Sequence, residues 1–169
     1  SQEFVKRKYS EVKLIHNKEN LGTSGANSGL EYCKGKYIFW LNNDIELNKD
    51  CAQILFDHLE TNPETGLAVP QTINFYNRKI KSGGYWISKA MYAGHYLTDC
   101  EPKEMQLPYG GVFLFRREVT DKSGYLFDPD YFIYSEDLDF CIRSQVLGYT
   151  VRFVPKAKFY KKRRRRLSI

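Results

Sequence analysis

The sequence predicts an α/β fold, a mixed and mostly parallel sheet flanked by helices, and three observations carry that prediction. Short apolar runs alternate with amphipathic helical patterns through the first half of the chain, the order expected of strand, helix, strand. The most apolar run, Lys36 to Leu41, passes straight into Asn42-Asn43-Asp44, as a buried strand does when it ends in a polar loop. The 169 residues, 42% apolar and 15% aromatic, suffice for one hydrophobic core, and no internal repeat divides them.

Taken in order, Val12 to His16 reads as a short strand and Asn17 to Gly22 as the turn after it. Thr23 or Ser24 is placed to cap a helix whose buried stripe is Ala26, Leu30 and Cys33 and which ends near Gly35. Beyond the strand Lys36 to Leu41, a second helix runs from about Lys49 to Thr61 with Ala52, Leu55, Phe56 and Leu59 on one face. Gly66 to Pro70 then returns as a strand. The second half is less regular. It holds extended pieces from Gln71 to Tyr96, a loop-like Thr98 to Leu107, a strand Gly111 to Arg116, a helix from about Ser135 to Leu147 and a last strand, Thr150 to Val154. Ligands of open α/β sheets bind beyond the carboxyl ends of the strands, so Asn17 to Gly22 and Asn42 to Asp44 are expected on one rim.

The net charge of +6 equals the charge of Lys161, Lys162, Arg163, Arg164, Arg165 and Arg166 together, which leaves the rest formally neutral. Specific nucleic-acid binding is therefore not expected. The chain divides into a single domain over 1–160 and a basic tail over 161–169, either solvated or in contact with anionic lipid headgroups. No run approaches the roughly 18 apolar residues of a membrane span, and Ser1 to Tyr9 is unlike a secretory leader. Cys33, Cys51, Cys100 and Cys141 are widely spaced with no CxxC pair, which points to reduced thiols. The expected location is cytoplasmic, peripheral at the cytoplasmic membrane face if the tail docks there.

Three constellations can carry chemistry. Asn42-Asn43-Asp44 is oxygen-rich. Mg²⁺ or Mn²⁺ is held by one or two carboxylates plus substrate phosphates and water, so a lone Asp44 is enough for a diphosphate ligand; a plain strand-end turn is the alternative. The small residues Gly22 to Gly29 open a helix whose N–H groups suit an anion. A dinucleotide fold with Asp44 on a ribose competes here, against which the glycines do not read G-x-G-x-x-G. Glu136-Asp137-Leu138-Asp139, preceded by Tyr131, Phe132 and Tyr134, complements a helix start capped by Ser135. Acids packed among aromatics also acquire the raised pKa of a general base, and Arg143 can pair with Asp139 one turn away. Gly110-Gly111 opens a strand and permits either a bulge or the close approach of a ligand.

In this order the segments resemble glycosyltransferase family 2, of the Rossmann-like GT-A fold and particularly its rhamnosyltransferase-like members, over about Val12 to Tyr160. Asn20-Leu21-Gly22 through Asn27 is similar to the segment that contacts the donor nucleotide in that family. Leu41-Asn42-Asn43-Asp44 is similar to its D-x-D position, which makes Asp44 the metal ligand and Asn42 and Asn43 donor neighbours. Gly110-Gly111 to Arg117 resembles the strand lining the sugar and acceptor site. Tyr134 to Arg143 resembles the E-D-x-D and Arg block, which implies Asp137 as base and Glu136 at the acceptor. The family normally begins with a further strand and helix, so the domain is expected to be incomplete at its amino end, and Tyr160 stands where the family often has a metal-binding His.

What the resemblance implies is an inverting transfer of a sugar, hexosyl or rhamnosyl in type, from a nucleoside-diphosphate sugar, UDP or dTDP, to a glycan, lipid-linked or polysaccharide-precursor hydroxyl. A divalent cation, Mn²⁺ or Mg²⁺, is the implied cofactor. The alternatives are a truncated, non-catalytic nucleotide-sugar-binding module and a membrane-docking module.

Overall fold

The computed structural model describes residues 2–82, 84–87, 93–96, 106–107 and 111–162. In chain order these form α1 (Gln2–Lys8), a 3₁₀ helix (Gly22–Tyr32), β1 (Tyr37–Leu41), β2 (Ile45–Leu47), α2 (Cys51–Thr61), β3 (Thr65–Asn74), β4 (Ile80–Ser82), β5 (Gly84–Ile87), β6 (Ala93–Tyr96), β7 (Gln106–Leu107), β8 (Val112–Arg116), α3 (Arg117–Ser123), α4 (Glu136–Val146) and β9 (Thr150–Lys161). The main sheet has six strands in the order β1-β8-β3-β9-β2, with β4 paired to β3; β6-β5-β7 form a smaller one. Among the described helices none is long and apolar enough to cross a membrane.

The sheet's two faces bury different side chains because strand residues alternate. One face carries Leu67, Val69, Phe113 and Phe115 against Phe140 and Cys141 of α4. There the rings of Phe113 and Phe115 stand 5.8 and 5.1 Å from that of Phe140. The other face carries Ala68, Leu114 and Val154 against Cys51, Leu55 and Leu59 of α2. At the end of β8, buried Arg116 ties strand to helix. Its Nε donates to Thr65 O at 2.8 Å, its Nη2 to Leu59 O and to Asn62 O at 3.2 Å, and its Nη1 to Tyr37 Oη at 3.2 Å.

The α/β class with a mixed sheet and flanking helices is as expected, but the strands are not mostly parallel. Among the described strands only β3 and β9 pair in parallel, and β8 inserts antiparallel between β1 and β3. Residues 12–16 form no strand. They pair with nothing among the described strands, and Val12, Leu14 and Ile15 are exposed. The first helix is 3₁₀ rather than α, and neither Thr23 nor Ser24 caps it. Three glycines weaken it, and Asn17 Nδ2 takes the Gly25 carbonyl at 3.0 Å, displacing the i+4 amide an α-helix would use there. In α2 the buried face is Cys51, Leu55 and Leu59, while Ala52 and Phe56 turn outward, one position from the expected stripe. Ser135 precedes α4 as expected but makes no side-chain cap. Strand β9 extends to Lys161, beyond the expected Val154, and α3 and β2 were not anticipated.

Removing the guanidinium from position 116 would leave buried carbonyls without donors. Arg116→Met is expected to lower stability by about 3 kcal/mol or more, read from the urea midpoint at unchanged slope.

Candidate functional site

Asp44 and Asp137, ninety-three residues apart in sequence, are brought to one rim by the way α4 crosses the sheet. Ser144 and Tyr149 lie against Gly66 at the start of β3, where an added Cβ would meet them at 2.9 and 2.6 Å. Phe140 and Cys141 then pack on Leu67 and Val69, so the amino end of α4 points toward the carboxyl ends of β3 and β9. Asp44 reaches the same rim through β2, which pairs antiparallel with the last residues of β9 as Ile45 with Lys161. The Lys162 amide donates to the Asp44 carbonyl at 2.9 Å.

In the loop after β1, Asn42 and Asp44 are half-buried and Asn43 is exposed. Asp44 Oδ1 is buried with no hydrogen-bond partner. A buried carboxylate oxygen left unmatched is costly unless a cation or proton reaches it. The Asn42 backbone N–H donates to the Gly111 carbonyl at 3.0 Å, and Gly111 has φ +72° with a virtual Cβ only 2.1 Å from Asn42 Nδ2. Glycine is required there on both counts, conformation and space. Gly110 lies outside the described residues.

At the start of α4, burial foremost and then Glu136 beside it push the Asp137 carboxyl above the usual carboxylate range. Its Oδ1 accepts from the Leu138 amide at 2.9 Å. Glu136 Oε2 is buried and has no hydrogen-bond partner. Asp139 is not available to the site, because Arg143 Nε donates to its Oδ2 at 2.7 Å as the i, i+4 spacing predicts. The same guanidinium donates to Leu126 O at 2.8 Å and Tyr125 O at 3.3 Å, holding the segment before α4.

The donor-side residues are joined to that segment. Gly22, at φ +61°, lies so close to the Phe132 carbonyl that a Cβ would stand 1.9 Å from its oxygen, and the Thr23 amide donates to that oxygen at 3.0 Å. Asn20 Oδ1 accepts from the Gly22 amide at 3.1 Å. Asn27, expected at the nucleotide, has its amide engaged elsewhere. Nδ2 donates to Phe127 O at 2.7 Å, and Oδ1 accepts from the Leu126 and Phe127 amides at 3.0 and 3.1 Å. It is a clamp between two loops in this structure, a role that spacing in the sequence does not signal. Tyr134 and Ser135, just before Glu136, both have φ near +70°. A bulky residue in that region is strained, a feature that clusters at binding sites.

Sequence reasoning assigned Lys161 and Lys162 to the tail, yet both belong to the rim, Lys161 as the end of β9. Arg163, Arg164, Arg165 and Arg166 lie outside the described residues. Tyr160 faces away from the acids, under the Arg78 guanidinium at 4.4 Å. The clefts of about 340 and 350 Å³ around Arg117 sit at the opposite end of β1 from Asn42, and their charges pair locally, Arg117 with Asp121 at 3.5 Å. Cys33, Cys51 and Cys141 are free thiols, and Cys100 lies outside the described residues.

A family model described as glycosyl transferase family 2 matches residues 1–124, and the chain belongs to that family. It is 28% identical, over 162 residues, to putative polypeptide N-acetylgalactosaminyltransferase 13 of Drosophila melanogaster, with 85% of this chain and 28% of that protein covered. A solved structure of GalNAc-T7 with UDP, GalNAc and Mn²⁺ superposes with a TM-score of 0.75 at 20% identity, covering 98% of this chain and 34% of that one, and shows the GT-A-type fold. The chain thus spans about a third or less of the length of these relatives.

The burial of Asp137 beside Glu136 makes stability depend on pH. An acid whose folded pKa is raised holds its proton longer in the native state, so its contribution is present at low pH and is lost as pH rises above about 4, the unfolded value. Asp137→Asn is therefore expected to raise the melting temperature at pH 7 and to flatten its fall above pH 4, read from melting curves across that pH range.

Proposed function

We propose that this member of glycosyl transferase family 2 moves a hexosyl-type sugar, rhamnosyl included, from a UDP or dTDP sugar to an acceptor hydroxyl on a glycan or lipid-linked precursor, by single displacement with inversion. The observation that carries the reading is the placement of two carboxylates, in different environments, on one rim. Asp44 offers a buried oxygen without a partner, and Asp137 is a carboxyl held above its ordinary pKa.

The residues at Asp44 fit a divalent cation. Its orphaned Oδ1 would be one ligand, with a nucleoside diphosphate and water supplying the others, in keeping with the Mn²⁺ and UDP in the GalNAc-T7 structure. When bound, Mn²⁺ or Mg²⁺ neutralises charge on the departing diphosphate. Asn42, fixed against Gly111, holds the loop that presents Asp44. Asp137 accepts the proton of the attacking hydroxyl, for which a raised pKa suits it at neutral pH. Glu136, with one unpaired oxygen, orients that hydroxyl. The joined loops around Gly22 and Phe132 close the donor side.

Stereochemistry decides the mechanism. Incubated with UDP-GalNAc, UDP-glucose or dTDP-rhamnose and a panel of sugar acceptors, the protein is expected to give a product whose anomeric proton coupling shows inversion, with an acidic limb in kcat above the usual carboxylate range. Asp137→Asn is expected to cut turnover by at least about 10²-fold with donor binding unchanged. A retained configuration, or an Asp137→Asn variant as active as wild type, would overturn the single-displacement assignment.

A further inference from the structure

A carboxylate-rich diphosphate site needs more positive charge than one divalent cation brings. Asp44, Glu136 and Asp137 lie along one rim, and a nucleoside diphosphate adds further negative charge. Among the described residues no three His, Cys, Asp or Glu side chains gather to hold a metal, so Asp44 is a single anchoring carboxylate.

Lys161 has its backbone beside the Asp44 loop and its charge within reach of Asp137. As the last residue of β9 it pairs with Ile45, next to Asp44, and with Asn74 on its other side. Its carbonyl accepts from the Phe75 amide at 3.2 Å and the following amide binds the Asp44 carbonyl, so its backbone is fixed from both flanks. It is half-buried, and its charge reaches Asp137 across the rim, drawing that carboxyl's pKa down against burial. The other cations nearby are turned elsewhere. Lys162 Nζ stands 3.9 Å from Glu46 and 4.5 Å from the Phe75 ring centre, and Arg78 stacks on Phe75 and Tyr160. Consecutive strand residues face opposite ways, so with Tyr160 on the Arg78 side Lys161 lies on the other face, where its charge reaches Asp137.

We propose that Lys161 is a protein-borne cation of the diphosphate site, its ammonium contacting phosphate oxygens of the bound nucleotide beside the metal at Asp44. The assignment rests on the donor reading above and adds to it that nucleotide affinity is only partly metal-dependent. A lysine is a compact point charge with rotatable donors, suited to phosphate at the end of a fixed strand.

Calorimetric titration of UDP, in EDTA and in Mn²⁺, tests this with wild type, Lys161→Gln, Lys161→Met, Lys161→Arg and Asp44→Asn, with Lys156→Gln as a control for net charge. Wild type is expected to bind UDP measurably in EDTA. Lys161→Gln and Lys161→Met should weaken that binding by about tenfold or more. Lys161→Arg should restore most of it, Lys156→Gln should match wild type, and Asp44→Asn should lose only the Mn²⁺-dependent increment. Melting curves identify either neutral variant that fails to fold, and the other then decides. Binding seen only with Mn²⁺ and indifferent to the neutral Lys161 variants overturns the Lys161 assignment and leaves the donor reading standing. Absence of UDP binding by folded wild type in both media overturns both.

Discussion

The parallel pairing of β3 with β9 is the constraint on which the rest of this structure depends. It runs from Thr65 against Thr150 to Asn74 against Lys161, and it breaks register twice, between Thr65 and Leu67 while β9 advances only from Thr150 to Val151, and where Gln71 follows Pro70 on β3 while β9 advances from Val154 to Lys158. The extra residues on β9 are absorbed as a bulge, a device that re-aims a strand near a functional rim. Beyond it, the last turns of β9 meet β2 and Phe75. Without that continuation the Asp44 loop would keep its Asn42–Gly111 bond but lose its tie to β9.

A second constraint is the clamping of the segment before α4. Asn27 and Arg143, from opposite sides, occupy the backbone groups of residues 125–127, and Thr23 binds Phe132. These bonds fix where the chain enters the left-handed pair Tyr134 and Ser135, and so where Glu136 and Asp137 emerge. The carboxyls are left poorly matched, a cost the packed core of phenylalanines beneath α4 offsets. Such preorganised mismatch is how proteins hold charge ready for a ligand.

Much of this was legible in the sequence, for identifiable reasons. The apolar run ending in Asn42-Asn43-Asp44 and the acid block at α4 are local patterns, and the structure puts both where a strand end and a helix start belong. The i, i+4 pair of Asp139 and Arg143 was likewise a matter of spacing alone. What escaped depends on distant partners. Val12 to His16 has strand composition but no described neighbour to pair with, and the helix at Gly22 loses α geometry to the side chain of Asn17. Phe56 faces outward because α2 is rotated by its contact with β3 and β9. Lys161 looked like the first residue of a tail because a basic run hides the strand that ends in it.

The central claim, that Asp44 and Asp137 serve one site, is tested most directly by paramagnetic broadening of backbone amide resonances on adding Mn²⁺ with UDP. The account predicts loss of signal at Asp44, Ile45, Glu136 and Asp137 together, with Lys34 and Arg117 at the far rim unaffected and Asp44→Asn abolishing the effect. Broadening at Asp44 that spares Glu136 and Asp137, or broadening centred on Arg117, would contradict it.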